Sequence, residues 1–155
     1  MPGLLKDSDR ELLKQELAQM ANPVKLVFFT QAFECEGCPI TQEILQEVIG
    51  LSGKIQLEIC NYAIDKDQVE KYKIARIPAT AVMHVETVER DGATETIDRD
   101  YGIRFYGVPA GYEFASLIGD ILDVSSGESG LSPETKAALA NLAEPLHLQV
   151  FTTPT

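Results

Sequence analysis

Positive charge is scarce in this chain of 155 residues: 13 lysines and arginines stand against 24 aspartates and glutamates, for a formal charge of -11. The deficit argues against nucleic acid and anionic membrane surfaces as partners, because phosphate or headgroup contacts could not be supplied at useful density. Long apolar runs are missing too, and none approaches the ~20 residues of a membrane span. The opening MPGLLKDSDRELLKQ turns charged at once and has no apolar h-region, so no secretory signal is read and the cytoplasm is the expected location. Cysteine is sparse, with three in all. A disulfide-stapled secreted domain would be denser in cysteine and usually even in count. What the chain does have is 45% hydrophobic and 24% charged residues, the composition of a globular domain able to bury a core.

The order of elements follows from periodicity and punctuation. Ser8-Asp9-Arg10-Glu11 reads as a capping box, and Leu12, Leu13, Leu17 and Met20 follow at helical spacing until Asn22-Pro23. Val24 to Thr30 is β-branched and aromatic on both faces, the pattern of a central strand covered on both sides. After a loop from Gln31 to Gly37, Pro39 opens a helix carried by Ile40, Ile44, Leu45, Val48 and Ile49. Ile55 to Asn61 is a second strand, and a short helix from Asp65 or Asp67 runs through Val69 and Tyr72. This order implies two parallel strands joined by a crossover. Two extended arms, 79–90 and 93–106, flank the hairpin signal Asp91-Gly92, and their polar outer parts place the tip beyond the core. Phe114, Leu117, Ile118, Ile121 and Leu122 mark a core-facing helix. Ser125 to Gly130 is small and polar, a linker, and Ser132-Pro133-Glu134 opens a last helix. Pro23 to Thr30 and Pro145 to Thr152 share Pro, Leu, Phe and Thr in register, which is either an internal repeat or a chance likeness of two apolar strands.

Chemistry concentrates at Cys35-Glu36-Gly37-Cys38, between an apolar strand and a helix. The spacing brings two sulfurs within disulfide reach as the helix begins. It also sets the first sulfur over unsatisfied backbone N–H groups, which favour an anion. Cys35 is therefore the expected nucleophile and Cys38 the resolving thiol. A helix N-terminus stabilises an anion by roughly 0.3–1 kcal/mol, up to about 2 when partly buried. Glu34 and Glu36 oppose this by about 0.7 kcal/mol each at ~6 Å in water, so a strongly acidic Cys35 is not expected. The competing use of a C-x-x-C is half of a metal site, but such a site needs about four ligands. Only Cys60, His84 and His147 remain outside the acids, scattered and unpaired, so no metal is expected. Cys60 reads as a small core residue and His84 as a surface or hairpin side chain. Phe33 reads either as an exposed platform for substrate or as core; with Ile77 and Pro78 it completes the candidate substrate-binding set. Ile77-Pro78-Ala79-Thr80 opens a strand downstream of the cysteines, which predicts a cis peptide bond facing the sulfurs.

Four features together carry a resemblance: the run Asn22-Pro23-Val24-Lys25-Leu26, the C-x-x-C, Ile77-Pro78-Ala79-Thr80, and Tyr101 to Phe114 with its G-x-P-A-G-x-E-F segment. With the tail Phe151-Thr152-Thr153-Pro154-Thr155, they resemble the thioredoxin superfamily. The closer likeness is to the N-terminal unit of the glutaredoxin-like protein disulfide oxidoreductases, which have two tandem thioredoxin units. The resemblance implies an α/β thioredoxin fold: a mixed four-stranded sheet with helices on both faces, plus an N-terminal helix and a C-terminal helix and strand. It implies a unit over residues 1–124, a linker over 125–131, and over 132–155 a linker helix and the first strand of a truncated second unit. The implied activity is thiol–disulfide oxidoreduction without a cofactor, on protein disulfide substrates and with a thioredoxin-reductase-like electron donor. Two alternatives stand beside it: an electron relay for a peroxidase or flavoprotein disulfide reductase, and a non-enzymatic thioredoxin-like module. A homodimer paired through the C-terminal strand is a further expectation. The sequence departs from the family in three ways. The hairpin is long, the first strand has no acidic residue to serve Cys38 as proton acceptor, and no Gly-Gly pair follows the proline strand for glutathione.

Overall fold

The computed structural model describes residues 4–153. Four strands, β1 (Val24–Thr30), β2 (Ile55–Asn61), β3 (Ala79–Arg90) and β4 (Ala93–Tyr106), form one sheet in the order β2-β1-β3-β4. β1 pairs parallel with β2 and antiparallel with β3, and β3 pairs antiparallel with β4. The sheet is mixed, and β1 is interior, as a strand apolar on both faces must be. Its alternate side chains divide between two cores. Val24, Leu26 and Phe28 face one with α1 (Asp7–Leu17), α2 (Cys38–Ile49) and α4 (Tyr112–Ser126), while Val27 and Phe29 face the other beside α3 (Lys66–Lys71). Helices therefore cover both faces, with α2 as the crossover between the parallel strands. Among the described residues no helix is long and apolar enough to cross a membrane.

Three local features differ from the sequence reading. The first is the start of α1, where Lys6 is the N-cap, no side chain caps it, and Ser8 bonds Asp9 instead. The Glu47 carboxylate of α2 accepts the N–H groups of Leu4 and Leu5 and the Arg10 guanidinium, so a neighbouring helix sets how the chain enters α1. The second is α4, which continues to Ser126, past position 124. Ser125 is fully buried and its hydroxyl donates to the Asn22 carbonyl at 2.6 Å while accepting the Asn22 N–H at 3.0 Å, clamping the last turn to the start of β1. Gly127 then caps the helix at φ 70°, a left-handed position that glycine takes without steric cost.

The third concerns the C-terminal segment. Ser132 caps α5 (Pro133–Ala140) as the sequence predicts, its hydroxyl accepting from the Thr135 N–H. Residues 145–153 are exposed and carry no strand, because a strand exists only through a ladder and none of the described strands pairs with them. Pro154 and Thr155, the end of the expected strand, lie outside the described residues.

The hairpin takes the expected form. Asp91 at φ 53° and Gly92 at φ 79° make its two-residue turn, the positive-φ pair that matches strand twist. β4 bulges where Val82 alone faces Tyr101, Gly102 and Ile103. Arg104 closes the bulge onto Asp100, and the Asp100 carboxylate also accepts the Gly102 N–H at 2.8 Å. The Arg104 bond holds the Asp100 carboxyl below its ordinary value. The bulge brings Tyr101 against His84, with ring centroids 6.2 Å apart.

Candidate functional site

The end of β1 and the start of α2 place the two cysteines. After Thr30 the chain leaves the sheet, and eight residues later Cys38 opens α2, with Pro39 in its first turn where no N–H is required. Cys35 and Cys38 are joined as a disulfide, their Cα atoms 5.4 Å apart. The Cys38 N–H donates to the Cys35 carbonyl at 3.3 Å, closing the turn. The two sulfurs differ in surroundings. Cys38 is 2% exposed and belongs to the core under α2, whereas Cys35 is half-buried between exposed Glu34 and Glu36. Glu34 holds φ at 56°, a left-handed kink rare for a residue with a side chain. Phe33 is 83% exposed, so of its two readings the structure realises the surface one. Its carbonyl accepts from Gln31 Nε2.

The Ile77–Pro78 bond is cis, as expected from its position. Pro78 is buried and Ile77 half-buried. The Pro78 carbonyl accepts the Gly107 N–H at 2.9 Å, which anchors the turn into α4 beside it. These pieces meet at Gly37. A Cβ there would stand 3.1 Å from Val108 Cγ2 and 3.3 Å from Pro78 Cγ. Gly37 has an ordinary φ of -79°, so glycine serves space at this position and not backbone freedom. The Thr41 hydroxyl, fully buried, donates to the Gly37 carbonyl at 2.7 Å and holds the same turn from the helix side. Sequence reasoning gave no role to Gly37, Val108 or Thr41. The glycine inside the C-x-x-C was the available signal, but its neighbours come from about 40 and about 70 positions away in the chain. Gly37→Ala is expected to cost roughly 1–3 kcal/mol by overpacking against Pro78 and Val108. Denaturant unfolding of the oxidised protein measures it, and an unchanged midpoint would mean that the neighbours yield freely.

Cys60 takes no part in this cluster. It is free and 3% exposed, level with Phe29 on the α3 face, while Cys38 lies in the core on the opposite face of the sheet. Burial, with the charges of Glu58 and Asp65, pushes its thiol from 9.0 up to about 11. A raised acid favours its neutral form in the fold. Its contribution to stability is whole below pH 9.0 and is lost as pH climbs toward 11. Cys60 is therefore expected to resist iodoacetamide at pH 8 in the native protein and to react once denaturant opens the core. Mass-resolved alkylation checks this; modification at the rate of a free thiol would contradict it. Of the two positions expected of it, His84 takes the hairpin one, on β3 opposite Arg99, and not the surface one. It is 8% exposed, and its Nδ1 lies 2.7 Å from the Val124 carbonyl. β3 is still paired with β1 at that level and α4 ends above it, which covers the ring. Among the described residues no group of three or more His, Cys, Asp or Glu side chains could hold a metal ion.

No family profile matches the chain, and neither does any curated protein. Solved structures do. A protein disulfide oxidoreductase from Aeropyrum pernix is similar at 28% identity and a TM-score of 0.72, over 88% of this chain and 55% of that one. The alkylhydroperoxide reductase AhpF of Enterococcus faecalis is similar at 25% identity and a TM-score of 0.71, over 89% of this chain and 61% of that one. The chain is a thioredoxin-superfamily member with a C-x-x-C pair. It spans between 55% and 61% of the lengths of these two proteins. In this thioredoxin-superfamily unit Cys35, Cys38 and Pro78 gather around Gly37, with Ile77 adjoining Pro78. Phe33 shares the cysteine loop, set outward from that packing.

Proposed function

We propose that this chain acts as a thiol–disulfide oxidoreductase unit on protein disulfides, with Cys35 as nucleophile and Cys38 as resolving thiol. The observation that carries the reading is the unequal burial of a bonded C-x-x-C pair at a helix start: one sulfur is half-buried, the other 2% exposed. In the reduced protein the Cys35 thiolate attacks a partner disulfide, forming one S–S bond and breaking another as the partner's first thiolate leaves. Cys38 then attacks the Cys35 sulfur and releases the second thiolate. The partner gains two electrons and the protein loses two, carried entirely by sulfur. Ile77, Pro78 and Phe33 are the residues we assign to contact with the partner chain. A thioredoxin-reductase-like donor would return the electrons.

The likeness to the alkylhydroperoxide reductase AhpF supports a second reading, a relay that passes electrons between a flavoprotein disulfide reductase and a peroxidase. Insulin reduction with dithiothreitol as reductant separates the two. The first reading expects precipitation of the insulin B chain well above the uncatalysed rate. The relay expects poor insulin turnover beside rapid exchange with a flavoprotein reductase. Residues 1–126, to the end of α4, would be the working unit, 127–131 the linker, and 132–155 a linker helix with the opening strand of a second unit. The Pro23 and Pro145 runs and the exposure of Leu146, Leu148, Val150 and Phe151 support that division, as they support pairing of two copies through the tail.

A further inference from the structure

The surroundings of Cys35 bear on which partners it meets. Glu34 and Glu36 flank it, both exposed, and among the described residues neither forms an ion pair. The cation nearest in the chain to Ile77-Pro78 is Arg76, whose guanidinium lies over the Tyr106 ring at 4.9 Å. Glu113, in the first turn of α4, adds a further acid beyond the Val108 turn. A disulfide reaching Cys35 therefore meets two carboxylates without ion-pair partners, on the residues either side of that sulfur, in a molecule of net charge -11.

We propose that this charge makes Cys35 selective for cationic disulfides, that is, polypeptide segments with lysine or arginine beside the cystine sulfur. The inference rests on the proposed role of Cys35 as nucleophile; the carboxylates only decide what that sulfur meets. A unit charge about 6 Å away in water changes a rate roughly threefold, so two carboxylates discriminate a cation from an anion by at least about tenfold at low salt. The discrimination shrinks when the Debye length falls from ~30 Å at 0.01 M to a few ångström near 1 M.

The test uses two small symmetrical disulfides, cystamine with two positive charges and dithiodiglycolate with two negative ones. Each is mixed with the reduced protein. Each rate of oxidation is divided by the rate of the same disulfide with dithiothreitol, an uncharged dithiol, which removes intrinsic reactivity. Every reaction is the same two-electron exchange, from protein dithiol to protein disulfide and from probe disulfide to two thiols. The normalised cystamine to dithiodiglycolate ratio is expected to be about ten or more at 0.01 M salt. It should fall severalfold at 0.5 M and fall likewise in Glu34→Gln/Glu36→Gln, whose changed side chains are exposed. A normalised ratio near one, or one unchanged by salt and by the double substitution, overturns the selectivity and leaves the redox role standing. Failure of both probes to oxidise the pair overturns the role of Cys35 itself, and the selectivity with it.

Discussion

Cys35→Ser is expected to lower disulfide reduction at least about a thousandfold, because a serine hydroxyl supplies no thiolate at neutral pH. Cys38→Ser is expected to lose turnover as well but in a different manner, by accumulating a covalent adduct between Cys35 and the partner. The contrast follows from position. Cys35 is half-buried on the loop, where a partner sulfur can approach, and Cys38 is closed into the first turn of α2. On the proposed reading, attack comes from the outer sulfur and release from the inner one. Intact-mass measurement on the two variants after incubation with an oxidised peptide decides the order. An adduct on Cys35→Ser and none on Cys38→Ser would reverse the two roles.

Phe28→Ala is expected to lose about 3–5 kcal/mol of stability, and for a chain of this size that corresponds to roughly 10–15 °C in Tm. Phe28 is fully buried in the middle of the sheet, level with Ile59 on one side and Thr80 on the other. Its ring belongs to the same core cluster as Cys38, Phe105 and Leu117, so the cavity opens in the core beneath the element that carries Cys38. Thermal unfolding followed by circular dichroism measures the loss. Leu142→Ala, at a position 55% exposed, serves as the control and should stay within about 0.5 kcal/mol of the parent. A Phe28→Ala variant as stable as that control would show that the core collapses around the missing ring.

What was legible in the sequence was what local chemistry determines. β1 could be placed inside the sheet because Val24 to Phe29 supply apolar side chains to both faces. The long hairpin could be read because Asp-Gly is one of the few pairs that tolerate the required φ values. The disulfide pair was visible as a spacing, and Pro78 as a proline opening a strand. What escaped was set by residues far apart in the chain. Glu47 displaces Ser8 at the start of α1, Asn22 carries α4 through Ser125, and α4 covers His84. The packing at Gly37 belongs to the same group, since Val108 is brought to it by the fold and by nothing in its own surroundings.

The outer half of the hairpin has a consequence of its own. β1 accompanies β3 only as far as His84, so from Glu86 to Ile97 the two arms pair, among the described strands, with each other alone. Their amides are protected by a two-stranded ribbon that borrows little from the rest of the molecule, and such ribbons are barely stable alone. Hydrogen exchange there should proceed through local fraying at a small fraction of the free energy needed to open β1. The same independence makes Asp91-Gly92 the natural place to graft a fluorophore or an epitope, since strain introduced at the tip has no short route back to the sulfurs.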